Sequence, residues 1–223
     1  VIVFLLVNSL FMWIIPSQDL NILERGYADL ETLFVMAPWI FLFLIPAITM
    51  RVFSEEKKSG TIELLLVRPL SDMQVILAKY FAGVILVLVS LLPTLVYFFS
   101  VYQLGYPRGN MDMGGTWGSF IGLFFLAAIY VSIGVFSSSL TSNQVVAFIV
   151  SVLLSFIVFM GFESISSLAG TTTIESLLRN FGINEHYKSM SRGVIDSRDV
   201  IYFLGSITFF ILLTKTVLES RKW

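Results

Sequence analysis

Ser54-Glu55-Glu56-Lys57-Lys58-Ser59-Gly60-Thr61-Ile62-Glu63-Leu64-Leu65-Leu66-Val67-Arg68-Pro69 interrupts a chain that is otherwise mostly apolar. The stretch divides into two pieces. Arg51–Lys58 is a charged continuation of the apolar run before it. Ser59-Gly60 breaks that continuation, because glycine takes up the left-handed backbone at little cost. Thr61 is then the N-cap of a short helix through Val67, with Glu63 favourable in its first turn. Pro69 stops that helix. Ser71-Asp72-Met73-Gln74 is a capping box that opens the next apolar run. The product is a short apolar helix held across one face of the molecule between two long helices. Its leucines require a cover, which is either lipid headgroups or a partner protein.

Outward from this insertion the chain reads as a polytopic membrane protein. Hydrophobic residues make up 57% of it, charged residues 13%, and mean hydropathy is +0.88. A soluble domain carries roughly 25% charged residues, so this chain needs lipid as solvent. Crossing a bilayer takes about 20 mostly apolar residues. Six runs approach that length, at 1–15, 33–50, 75–102, 117–136, 145–162 and 200–218. The expected fold is all-α, one transmembrane domain over 1–223. The first run is short and begins at Val1, as expected of a clipped first helix and an incomplete N-terminus.

Lys and Arg in short loops set the orientation. Arg51, Lys57, Lys58 and Arg68 share the loop between the second and third runs, and Lys79 lies just beyond. Arg221 and Lys222 close the chain. The facing loops Ser17–Glu31 and Gln103–Thr116 hold only Arg25 and Arg108, and the longer facing segment Glu163–Asp199, with Arg179, Lys188, Arg192 and Arg198 among five carboxylates, weighs less. Both termini and the Arg51–Gln74 loop are therefore expected in the cytoplasm.

Several functions are disfavoured by what is missing. There is no cysteine, and His186 is the only histidine, which leaves no histidine or thiolate metal set and no catalytic constellation. No run carries an ionisable group near its middle, which argues against a proton-coupled pump or ion-selective channel. No Gly-x-x-x-x-Gly-Lys-[Ser/Thr] pattern occurs, so ATP and Mg would have to be bound by another subunit. Net charge is −1, which gives no reason to expect nucleic acid. The expectation is a non-enzymatic chain with no cofactor of its own.

Glu163–Asp199 is a long mixed segment. Thr172-x-x-Glu175 forms a capping box, and Ile174, Leu177, Leu178 and Phe181 follow at helical spacing up to Gly182 at a C′ position. Asn184 can cap a second short helix that ends near Arg192 and Gly193. Asp196 can cap the last run, with Asp199 in its first turn. His186 is expected as an interfacial hydrogen-bonding residue. Pro46 and Pro93 fall inside runs and can kink them. Gly118-x-x-x-Gly122 can bring two helices close.

The pattern Glu55-Glu56-x-x-x-Gly60-Thr61-x-Glu63-x-Leu65-Leu66-x-x-Pro69 resembles the signature of ABC-2 type permeases. Phe136–Ala147 is similar to that family's turn between helices four and five, and His186–Phe203 to its entry into the last helix. The overall pattern looks like the gliding-motility-associated permeases of the GldF type, or those of the nitrous-oxide-reductase maturation type. The resemblance implies that the 55–69 loop is a coupling helix docking into a separate ABC ATP-binding subunit. It implies a second permease copy or a paralogous permease as partner, and residence in the bacterial inner membrane. It also implies that the helices at 174–193 re-enter the outer leaflet and roof the path. Two alternatives remain at this stage: an exporter of drugs, lipids or maturation factors, and a mechanotransmitting subunit that carries no cargo.

Overall fold

The structure, a computed structural model, describes residues 1–61, 71–168 and 180–220. Among these residues the chain is helical, without strands. Helix α1 (Ile2–Ser9) runs on through a π-helical turn, Leu10–Ile14. A one-turn α2 (Ile22–Arg25) precedes α3 (Glu31–Thr49) and the short α4 (Ser54–Lys58). Helix α5 (Asp72–Leu91) continues through a 3-10 turn at Leu92–Thr94 into α6 (Leu95–Leu104). Then come α7 (Met113–Leu140) and α8 (Gln144–Phe156), the latter extended by a π-helical turn, Ile157–Gly161, into α9 (Phe162–Leu168). Helices α10 (Ile183–Ser191) and α11 (Ser197–Glu219) complete the described chain.

Among the described residues, five helical stretches are long and apolar enough to cross a membrane: Glu31–Lys58, Asp72–Leu104, Met113–Leu140, Gln144–Ser166 and Ser197–Glu219. They correspond to five of the six expected runs. The first run, Ile2–Ile14, is a shorter apolar helix. It ends where Pro16 follows, Ile15 being already extended with ψ 120°.

Polar side chains cap the helix starts, at Ser71 and Asp196 as expected and at Asn143 and Asp112 besides. The Ser71 hydroxyl accepts from Gln74 N while the Gln74 side chain accepts from Ser71 N, so the capping box is complete. Asp196 caps α11 through Arg198 N, Asn143 caps α8 through Val145 N, and Asp112 caps α7 through Gly115 N.

Helix α7 is the axis of the fold. It packs against α3, α5, α8, α10 and α11. In its most apolar window 78% is buried, against 22% for α8. The reason lies in its composition: Gly118, Gly122, Ala127, Ala128, Gly134 and its serines let neighbouring helices come close, as apolar solvents give no other drive for association. Where Gly134 passes α3, an added Cβ would lie 1.9 Å from Thr49 Oγ1. The outward residues of α8, among them Ile149 and Leu153, remain about half exposed, as suits a lipid-facing surface.

Three expectations need correction. The extension of the second run through Lys58 is not continuous: α3 ends at Thr49, Met50–Phe53 form a turn, and α4 starts afresh. Asn184 is not a cap. The cap position belongs to Gly182, and the Asn184 side chain donates to Glu163 Oε2 at 2.6 Å instead. Gly182 is likewise not a left-handed helix stop; its φ is −79°.

Candidate functional site

The break between α3 and α4 is held by one serine. Ending a helix leaves carbonyls and amides without partners, and inside lipid each such group costs several kcal/mol. Ser138, on α7, supplies what is lost. Its Oγ donates to Met50 O at 3.0 Å and accepts from Phe53 N at 2.8 Å and Ser54 N at 3.0 Å. One hydroxyl has one donor and two lone pairs, so all its capacity is used. The Met50–Ser54 backbone bond is replaced by a bond through Ser138 and by the Ser54 hydroxyl, which also donates to Met50 O, and the elbow is stapled to the central helix.

Two lysines complete the fixation. Lys79, on α5, donates to Val52 O at 2.6 Å, pairs with Glu56, and stands 4.7 Å over the Phe53 ring. Lys57 donates to the Ser139 carbonyl. Glu56 therefore turns inward to α5, and Glu55 is the fully exposed carboxylate of the pair. Gly60 follows at φ +71°, a left-handed turn that an L side chain rarely adopts. The Thr61 hydroxyl meets the Ser59 hydroxyl at 2.8 Å. Glu63, Leu64, Leu65 and Pro69 lie outside the described residues.

The other end of α7 seats α10. Gly118 and Gly122 do bring two elements close, but the partner is this short helix. A Cβ on Gly118 would lie 2.2 Å from the Met190 carbonyl oxygen and 3.1 Å from Gly193 Cα; one on Gly122 would lie 3.1 Å from the Tyr187 ring. Gly193 closes the contact at φ +82°, where its own Cβ would meet Gly114 at 2.7 Å. Ile183, Tyr187 and Met190 are buried beneath α10.

Tyr187 makes the contact that sequence reasoning missed. Its hydroxyl donates to Phe34 O at 2.8 Å. In an unbroken helix that carbonyl would accept from residue 38, but Pro38 has no N–H. The phenol fills the vacancy. Burial pushes the Tyr187 pKa upward, so the hydroxyl stays a donor through the neutral range. The available signal was Pro38 itself: a proline inside an apolar run demands a donor for the carbonyl four residues back.

His186 ties α10 to α11. Its Nδ1 lies 2.7 Å from Asp199 Oδ1, its Nε2 lies 2.8 Å from Asn180 O, and its ring stacks on Tyr202 at 3.9 Å. Phe181 is exposed, and its carbonyl accepts from the Tyr202 hydroxyl. Arg192 is exposed at the end of α10. Ile174, Leu177 and Leu178 lie outside the described residues.

The two ends meet through shared helices. Gly118 and Ser138 lie about 30 Å apart along α7 at about 1.5 Å per residue. Helix α3 joins the same two places, with Phe34 near one end and Met50 at the other. A profile of ABC-2 family transporter proteins matches residues 8–182, more than half of the chain. The chain belongs to the ABC-2 transporter family. It is thus a membrane component of an ABC transporter, a permease of several membrane-crossing helices. The family as a whole works with an ATP-binding partner. No curated protein matches this permease.

Proposed function

We propose that this permease is the transmembrane half of an exporter, driven by a separate ATP-binding subunit that docks on the 55–69 loop. The observation that supports this most is the anchoring of that loop at both ends. On one side the elbow is stapled to α7 by Ser138 and to α5 by Lys79. On the other the loop enters α5 through the Ser71–Gln74 capping box. A push on the loop therefore reaches α3, α5 and α7 together. Glu55 and Glu63 would meet basic groups of the ATPase, and Leu64 to Leu66 would bury against it. ATP and Mg would be held in that subunit.

Two permease chains, identical or paralogous, would form the pathway in a bacterial inner membrane. Both ends of the chain would be cytoplasmic, in keeping with the lysines and arginines around the elbow. The likeness to gliding-motility permeases makes export linked to motility the favoured setting.

The test is Glu63→Lys. It is expected to leave the chain inserted in the membrane and to abolish ATP-dependent flux in reconstituted liposomes. If Glu63→Lys retains both ATPase assembly and flux, the docking assignment fails.

A further inference from the structure

A cavity of about 650 Å³ opens between the first half of α3, the start of α7, the π-helical turn after α8, and α10. That volume is within the roughly 300–1,000 Å³ typical of small-molecule sites. Its wall is built from two departures from regular helix. Pro38 deprives α3 of a backbone bond. The π-helical turn Ile157–Gly161 is wider than an α-turn, a feature frequent at functional sites. It places Phe159 edge-on to Trp39 at 5.7 Å and to Tyr130 at 6.4 Å, closing the bottom with aromatic rings. Val35, Pro38 and Met160 continue this apolar lining.

The rim is of opposite character. Asp29, Glu31, Asp112, Lys188 and Arg192 all line it. Most of this charge is already matched. Asp29 and Glu31 share Arg25, and Lys188 pairs with Glu163 at 3.1 Å. Two groups are left over. Arg192 makes no ion pair or side-chain hydrogen bond among the described residues. Asp112 spends Oδ1 on capping Gly115 at 3.0 Å, and its Oδ2 has no partner among them. Asp112 and Arg192 are both exposed and line the same rim. Between rim and floor lies Ser119. It is 4% exposed, lines the cavity, and has no hydrogen-bond partner among the described residues.

We propose that this cavity binds the head and upper chain of a zwitterionic phospholipid. One spare cation and one spare carboxylate on the same rim complement a head that carries a phosphate and an ammonium group. Arg192 takes the phosphate through charge-assisted bonds, Asp112 Oδ2 takes the ammonium, and Ser119 takes an ester or phosphate oxygen. Trp39, Phe159 and Met160 receive the aliphatic chain. The inference rests on the permease reading only in making this lipid the cargo; the binding itself is independent of it.

The test uses the full chain in nanodiscs of phosphatidylglycerol doped with phosphatidylethanolamine that carries a diazirine near the head of its acyl chain. After illumination, label is expected on the segments bearing Trp39 and Phe159–Met160, in excess over the lipid-facing residues Ile149 and Leu153. Unlabelled phosphatidylethanolamine should compete, and further phosphatidylglycerol should not. The double variant Arg192→Ala/Asp112→Asn keeps the α7 cap, since asparagine also caps. It should lose cavity label about a hundredfold, the equivalent of two charge-assisted bonds. Label at Ile149 and Leu153 should not change, which verifies folded insertion. Equal labelling of cavity and lipid face overturns the proposal. So does an undiminished signal in the double variant, or equal competition by phosphatidylglycerol. No nucleotide or ATPase enters the measurement, so its failure leaves the docking reading standing. Failure of Glu63→Lys to uncouple flux likewise leaves lipid binding standing.

Discussion

The elbow and the seat of α10 are both contacts with α7, yet they are held by opposite means. At the elbow the contact is directional: a hydroxyl, two ammonium groups and a row of backbone atoms. At the seat it is steric: glycines against a carbonyl oxygen and a backbone turn. Directional bonds can be exchanged one at a time, with water or neighbouring donors standing in. Close-packed backbone has no intermediate state, because interiors of this density do not deform gradually. An elbow of the first kind can bend under load. A seat of the second kind either holds or lets go.

The largest effect is therefore expected at the seat. Gly118→Leu places a side chain where the Met190 carbonyl already stands, and α10 must leave α7. The expected loss exceeds about 3 kcal/mol, read as a fall in thermal midpoint in nanodiscs. If α10 instead shifts at little cost, the distinction between the two ends collapses. Ser138→Ala comes next. It strands the Phe53 and Ser54 amides in a buried site and should cost about 2–3 kcal/mol. Its signature is faster hydrogen exchange confined to the backbone around the elbow. Exchange that rises equally around α10 would show that the ends are one cooperative unit. Tyr187→Phe is the mildest. It removes one hydroxyl and leaves the Phe34 carbonyl alone, for about 1–2 kcal/mol, with the ring still seated on Gly122. The same measurement should show local opening at α3 near Pro38 and none at Ser138.

How far the sequence led differs between these regions for a physical reason. Helix starts were legible because caps are local: Ser71, Asp196 and the charges near them act over three or four residues. The apolar runs were legible because a bilayer imposes length. Asn184 misled because a side chain able to cap can equally serve a distant partner, here Glu163. The elbow was read as straight because the group that breaks and repairs it, Ser138, is far away in sequence. The Glu56–Lys79 pair is hidden for the same reason, since only the fold brings Lys79 beside it. Gly118 and Gly122 announced a close approach without naming what approaches. Pro38 was the neglected clue: its missing N–H is a local fact, but Tyr187, which answers it, is a tertiary one.

One consequence follows from α7 carrying both contacts. Each residue turns an α-helix by about 100°, so Gly118 and Ser138 point about 200° apart, almost back to back. Their relative phase is a property of the number of residues between them. A single insertion in that stretch would swing one contact by about 100° and unmake it. An insertion of seven would shift it by only about 20° and lengthen the molecule instead. The middle of α7 thus behaves as a keyed shaft: its side chains can be exchanged, while its residue count is fixed by what is mounted at each end.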